Sequence, residues 1–465
     1  MASSDAHYVF FYATGWITDH VNFRSVAILS RALGLLLLAY AWVTLGRRLL
    51  AERTGAVLLS LLLFLCLNQL GTLSGEWIVG GIEGKVPAWA FGLLAIRFAI
   101  DRRWVWFGAN AGLAVSFHPV VGAWVTLAVM CSEVGQLVLA RSPAWSGGKA
   151  KHLILGAVLA SVLASPGLVP ALTVLQPPDE VPAELKSEVR DVRHMQEKAN
   201  YIQVFGRLKH HLDPVDFPLY RWVQYGLMLA VWIALLRLRP LSNTTRLWPI
   251  VAAATLFALL AVWVGYGPRP ASQMPGYAWK AGLLKLYPFR LVDALLPMVL
   301  ALHLGSVIHG ALKNNANQIR IATALMCVLT FAGPAWSRFS NPTQAAPDWL
   351  DVCNWCSTNT SEQTLCVTPR EARDFKWYAQ RAEWVNYKDC PQDAAGIVEW
   401  NRRLWLMREW RVASIADGSY SPEDLRRLAE LSSAEYLITQ RIQPIEAEPV
   451  YRNATYRIYR LIENP

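Results

Sequence analysis

Long apolar runs separated by short polar connectors occupy most of residues 27–336. The runs fall at 27–46, 54–72, 86–100, 104–117, 120–140, 153–175, 221–238, 247–266, 289–312 and 319–336. Each is continuous, not alternating, and most approach the roughly 20 residues that a helix needs to cross a bilayer. The pattern predicts about ten membrane spans. The run 104–117 is short for a full crossing and ends at Phe117-His118-Pro119. Proline disfavours helix in the residue before it, so a sharp turn is expected there. A tilted or shortened helix facing an aqueous cavity accommodates the short run. Residues 1–26 mix charged and aromatic positions and read as an interfacial segment outside the cytoplasm. Residues 176–220 are polar and read as an outer helical loop domain.

Past residue 337 the apolar runs shorten and charges become dense. Strands are expected at 364–368, 384–387 and 435–439, and helices at 370–381 and 392–410. The second of these helices carries Ile397, Trp400, Leu404 and Met407 at spacings of three and four. Ser421-Pro422-Glu423-Asp424 is a helix start, with serine as N-cap and proline in the first turn. Residues 450–451 and 456–461 flank Asn453-Ala454 as a closing hairpin. The predicted fold class is mainly α: a polytopic transmembrane helical bundle (27–336) with a small C-terminal extracytoplasmic α/β domain (337–465).

Composition agrees with this picture. The chain is 54% hydrophobic and only 17% charged, against about a quarter charged in soluble domains. Its 21 tryptophans fit the aromatic belts at membrane interfaces. The formal charge of +10 sits largely in short connectors: Arg47/Arg48/Arg53, Arg102/Arg103, Arg141/Lys149/Lys151, Arg237/Arg239/Arg246 and Lys313/Arg320. Short basic loops face the cytoplasm, so topology accounts for the charge and nucleic acid is not an expected partner. Membrane lipids are. Both termini then fall outside. The first residues lack the basic-then-apolar pattern of a cleavable signal. An external N-terminus without a signal implies either a reverse-anchor first helix or, the reading preferred, a further span preceding this sequence.

Within this layout, residues 74–89 stand out. They place Glu76, Glu83 and Lys85 between two apolar runs, with Gly80, Gly81 and Gly84 allowing the backbone to turn. Pro87 restarts a helix where proline is best tolerated. Charges so close to lipid read either as a site or as a tight turn in which Glu83 and Lys85 pair. A second mouth, Tyr287-Pro288-Phe289-Arg290, is similar in kind. Arg290 and Asp293 are three apart on one helix face and are expected to pair, or to bind an anionic head group with Asp293 orienting Arg290. The assigned topology puts Glu83, Lys85, His118, His210, His211, Lys285, Arg290 and Asp293 on one side, with Asp19 a further candidate. His210-His211-Leu212-Asp213-Pro214 lacks the i, i+4 spacing of a metal pair, so phosphate binding or loop packing is preferred to zinc. Cys353, Cys356, Cys366 and Cys390 do not form two CxxC knuckles, so disulfides are preferred to zinc there. No phosphate-binding glycine loop, nucleophile elbow or HExxH occurs, and no cofactor is named by the sequence.

The assembled motifs carry a resemblance. Glu83-Gly84-Lys85, Phe117-His118-Pro119, His210-His211-Leu212-Asp213-Pro214 and Tyr287-Pro288-Phe289-Arg290 resemble a family of bacterial polytopic membrane proteins of unassigned function, of cyanobacterial and planctomycete type. The tail (Thr368-Pro369, Phe375-Lys376-Trp377-Tyr378, Arg381, Lys388-Asp389-Cys390-Pro391, Glu399-Trp400) resembles a domain of unknown function found in them. More loosely, the layout is similar to the GT-C glycosyltransferases. That resemblance implies a lipid-phosphate-linked sugar as donor and an acidic residue in the first outer loop. Glu83 or Asp19 would be the catalytic carboxylate, with Asp5 as another remnant of that loop. Lys85, His118, Arg290, His210 and His211 would hold the phosphate. The alternative is a non-enzymatic transporter or envelope-binding protein.

Overall fold

The computed structural model describes residues 7–51, 53–70, 72–140, 147–238, 246–312, 315–340, 346–370, 374–416, 418–440 and 445–461. Asp5, Arg141, Arg239 and Lys313 lie outside them. The chain divides into two compact units: residues 3–177 with 196–336, and residues 178–195 with 337–465. The segment 176–220, read from sequence as one loop domain, is therefore shared between them.

The first unit is helical. In chain order its helices are α1 (Tyr8–Thr18), α2 (Phe23–Leu49), α3 (Thr54–Leu70), α4 (Lys85–Ile100), α5 (Trp104–Phe117), α6 (Pro119–Ala140) and α7 (Gly147–Leu175). After α8 (Val192–Tyr201), which crosses the unit boundary, come α9 (Lys209–Leu212), α10 (Leu219–Leu238), α11 (Leu247–Gly265), α12 (Tyr277–Leu284), α13 (Arg290–Leu312) and α14 (Ala316–Ser340). All ten predicted apolar runs form helices. Among the described residues, six are long and apolar enough to cross a membrane: α2, α6, α7, α10, α11 and α13. Of the other apolar runs, α3, α4 and α5 fall short for a geometric reason. At 1.5 Å per residue, the 16 residues of α4 reach only about 24 Å and the 14 of α5 about 21 Å, against a hydrocarbon core of about 30 Å.

The most enclosed helix is α13, which packs against α3, α6, α10 and α11. Leu291 to Leu302 are all buried along it, including Asp293. A helix apolar all round belongs at the centre of a bundle. The helices α5 and α7 pack with their backbones almost touching. A Cβ on Gly108 would overlap the carbonyl of Gly156, and one on Gly112 would crowd that of Ala160. This small-xxx-small seam is a common way to join helices where burial from water supplies no drive.

The second unit is α/β. Its remaining elements are α15 (Pro347–Asn359), β1 (Leu365–Val367), α16 (Phe375–Ala379), β2 (Ala382–Glu383), α17 (Ala394–Ser414), α18 (Pro422–Ser432), β3 (Tyr436–Gln440), β4 (Tyr451–Arg452) and β5 (Tyr456–Arg460). The sheet order is β2-β1-β3-β5-β4, with β2, β1 and β3 parallel and the closing hairpin antiparallel. Alternate strand residues feed two cores, as the period of two requires. Cys366, Ile438 and Ile458 pack with Trp349, Val352 and Phe375 from α15 and α16. Val367, Leu437 and Tyr459 pack on the other face with Met407, Trp410, Leu425 and Leu428 from α17 and α18. The start of α18 is a capping box between Ser421 and Asp424, as its sequence predicts.

The cysteine expectation is corrected here. Cys353, Cys356, Cys366 and Cys390 form no disulfide with one another among the described residues. The first three are fully buried in the α15 core, where they serve as small hydrophobes.

Candidate functional site

The first unit gathers its unusual polar residues around Glu76. The segment leading from α3 into α4 lies against the start of α13, and Asp293 holds it there. Its carboxylate accepts from the backbone N–H groups of Leu73 (2.7 Å), Ser74 (2.8 Å) and Glu76 (3.3 Å) and from the Ser74 hydroxyl (2.7 Å). Asn68 donates to the backbone carbonyls of Asp293 (3.2 Å) and Glu76 (3.4 Å). His211 donates from Nδ1 to the Ser74 carbonyl, and Arg221 to that of Leu73 at 3.1 Å. Gly75 makes the turn with φ of +77°, a region that favours glycine. Gly84 is needed for another reason: a Cβ there would sit 2.6 Å from the Phe117 carbonyl oxygen.

So held, Glu76 is buried and surrounded by cations. Arg290 Nε lies 3.0 Å from its carboxylate, with the N–H not aimed at the oxygen, and Lys85 Nζ lies 3.7 Å away. Trp89 Nε1 donates to it at 3.2 Å. Lys85 also reaches Glu83 at 3.6 Å and sits 3.5 Å above the Trp77 ring. The guanidinium of Arg290 lies 4.2 Å over the Tyr287 ring and donates to His118 Nε2 at 3.1 Å. Because arginine only donates, this bond needs His118 Nε2 as acceptor, which a neutral ring allows. The ring of His7 packs on His118 with centroids 4.6 Å apart.

Of the residues singled out from sequence, Glu83, Lys85, His118, His211, Arg290 and Asp293 join this constellation directly or through Ser74. The expected Arg290–Asp293 pair does not form. Asp293 turns to the 73–76 backbone, and Arg290 takes Glu76 instead. His210 is exposed and meets the constellation through His211, whose ring centroid lies 4.1 Å from its own. Asp19 is exposed at the far end of α1, about 18 Å along the helix from His7 at 1.5 Å per residue. Sequence reading saw Glu76 as a charge but did not select it as the centre. His7 was missed too, since a polar residue in a mixed segment gives no signal of its partner. Asp213 has a separate role: it is buried and binds Arg269, with Nε to Oδ2 at 3.0 Å, which joins the α9 turn to the segment after α11.

Burial disfavours the charged form of the cluster's histidines. Burial, followed by the positive charge of Arg290, pushes His7 down to about 4. Burial, then Arg290, His7 and Lys85, push His118 well below its ordinary value. Burial also lowers His211, though its bond to the Ser74 carbonyl opposes the shift. A histidine held below its unfolded value of about 6.5 contributes stability that is complete above that pH. The contribution is lost as pH falls from about 6.5 toward 4, because the unfolded chain then binds the extra protons. Acidifying from pH 7.5 to 5 is therefore expected to lower amide protection factors at the start of α1 and at the α5–α6 turn. Protection factors that stay constant over that range would disprove this assignment.

These features describe a mainly helical, multi-pass membrane protein with a buried ionic cluster and a small C-terminal α/β unit. Residues 347–407, from α15 through most of α17, match DUF6798, a domain of unknown function. No curated protein matches the chain.

Proposed function

We propose that this chain is an integral-membrane, glycosyltransferase-like enzyme that uses a lipid-phosphate-linked sugar at the extracytoplasmic face. In this reading the shorter helices complete a layout of about ten spans, and the C-terminal unit lies on the outer side of a bacterial inner membrane. The observation that carries the reading is the meeting of Lys85, His118 and Arg290 beside an accessible carboxylate. The Glu83 side chain is 56% exposed, so it can meet an acceptor. Two buried atoms in the cluster, Arg290 Nε and His7 Nδ1, have no hydrogen-bond partner among the described residues. Unsatisfied buried groups of this kind call for a further partner, and a phosphate oxygen suits Arg290.

Glu83 would accept the proton of an acceptor hydroxyl as that oxygen attacks the anomeric carbon. The bond from that carbon to the lipid-phosphate oxygen breaks, and the phosphate leaves with the electron pair. Lys85 and Arg290 offset its growing charge, with Glu76 keeping both cations in place. Glu83→Gln in the full-length protein in nanodiscs is expected to slow transfer from lipid-linked sugars at least about 100-fold. Its thermal stability should hold, since the side chain is largely solvated. Undiminished transfer in both Glu83→Gln and Arg290→Ala would sink the assignment.

A second reading, a non-enzymatic transporter or envelope-binding protein, is favoured by one observation. Both buried carboxylates, Glu76 and Asp293, are already engaged within the fold. Saturable binding of a lipid phosphate by the unaltered protein, without turnover, would select that reading.

A further inference from the structure

The C-terminal unit holds a different constellation. A cavity of about 410 Å³ lies between α17 and the chain that leaves β1. One face of α17 supplies Asn401, Trp405, Arg408 and Arg411, which recur at spacings of three and four residues and so share a side of the helix. Thr368, Arg370 and Tyr387 line it from elsewhere. A second cavity, of about 390 Å³, shares Arg370 and Arg411 and extends to Thr439 and Gln440.

The position has a topological meaning. The strands β1 and β3 are parallel neighbours. From β1 the chain passes to β2 on one side, and from β3 it passes to β4 and β5 on the other. Connections that part in this way leave a crevice beyond the carboxyl ends of the strands, which is where open α/β sheets take ligands. Thr368 and Arg370 follow β1, and Thr439 and Gln440 end β3, so both cavities occupy that crevice.

The lining gives the ligand chemistry. Arg370, Arg408 and Arg411 are exposed, and none is ion-paired among the described residues. Neither cavity has a described Asp or Glu in its lining. Arg370 stacks on Tyr387 and Arg408 on Trp405, each at 5.0 Å from the ring centroid. Stacking holds the guanidinium planes while leaving their N–H edges available. Three such groups around one hollow raise the local positive potential, and guanidinium matches phosphate oxygens in pairs. Val385, Leu404 and Met407 add an apolar wall. We propose that this crevice binds a phosphate ester carried on an apolar or aromatic group. The inference rests on the C-terminal unit alone and is independent of the chemistry assigned to Glu83.

The test is calorimetric titration of the full-length protein in detergent with phenyl phosphate and, separately, inorganic phosphate. Saturable binding of phenyl phosphate is expected. Arg408→Gln/Arg411→Gln should weaken it at least tenfold, and Trp405→Leu should weaken phenyl phosphate more than inorganic phosphate. All three side chains are exposed, so unchanged thermal unfolding would show that the variants keep their fold. Repeating the titration in phosphatidylglycerol and phosphatidylcholine nanodiscs separates the sources. Competition only by phosphatidylglycerol marks a lipid head group, and equal binding in both marks a soluble ester. Absence of saturable binding to the unaltered protein, or equal affinity in the doubly substituted one, would overturn the proposal.

Discussion

Asp293→Ala is expected to destabilise the membrane unit by about 3–5 kcal/mol, the largest effect of any single substitution in the cluster. The carboxylate is fully buried and receives three backbone N–H groups and one hydroxyl. Removing it strands those donors where no water reaches, and each unsatisfied donor costs about 1–3 kcal/mol. The effects are not additive, because the freed segment can relax. Asp293→Asn keeps the shape but turns an amide N–H₂ toward some of the donors, so a smaller loss of about 2–3 kcal/mol is expected. Chemical unfolding in micelles measures both. Proteolysis within residues 74–84 should rise in parallel, since Asp293 fixes that segment to α13. A loss below about 1 kcal/mol for the alanine variant would show that the clamp is not what holds the segment.

The same residues show how far the sequence could be read. The apolar runs placed ten helices of the first unit, nine of them to within four residues, because burial and length leave a continuous mark on the chain; α1 and α12 lie outside those runs. In the C-terminal unit, Ser421 and Asp424 marked the start of α18, and the strand expected at 364–368 is β1. Of Trp384 to Tyr387, read as a strand, Trp384 donates its N–H to the Cys366 carbonyl at 2.9 Å just past the end of β2 at Glu383, and Val385 and Tyr387 line the crevice. The helix α15 was not predicted, although Pro347 and Asp348 in its first turn and Trp349, Val352, Cys353 and Cys356 at helical spacing mark it. The assignment of partners was less legible. Arg290 and Asp293 lie on one helix face, and local spacing predicts a pair. Tertiary structure overrides it, because the 73–76 backbone offers Asp293 several donors and Glu76 offers Arg290 a buried carboxylate. Glu83 and Glu76 look alike in sequence. Only packing separates the solvated carboxylate from the buried one, seven residues earlier in the same glycine-rich segment. Asp19 is set apart for a related reason: the direction of α1 carries it away from the cluster that His7 joins.

That division of labour between the two glutamates leads to the second large effect. Glu76→Gln is expected to destabilise the unit by about 3–4 kcal/mol, since it leaves Arg290 without its buried counter-charge. Lys85 is affected less, because Glu83 remains 3.6 Å away. Arg290→Met alone should also destabilise, by stranding the Glu76 carboxylate and removing the donor to His118. The combined variant is expected to be less damaging than the sum of the two by about 1–3 kcal/mol, because neither partner is then left buried and unpaired. Replacing a buried ion pair by groups of similar size is often close to neutral, whereas breaking it is not. Thermal or chemical unfolding of the four proteins gives the coupling directly. Effects that add to within about 0.5 kcal/mol would mean that Glu76 and Arg290 act separately. A strong coupling together with unchanged binding of lipid phosphate in the combined variant would assign the pair to architecture, leaving Lys85 and His118 as the phosphate-facing groups. Coupling accompanied by lost binding would place Arg290 on the ligand itself, with Glu76 as the residue that holds it in position.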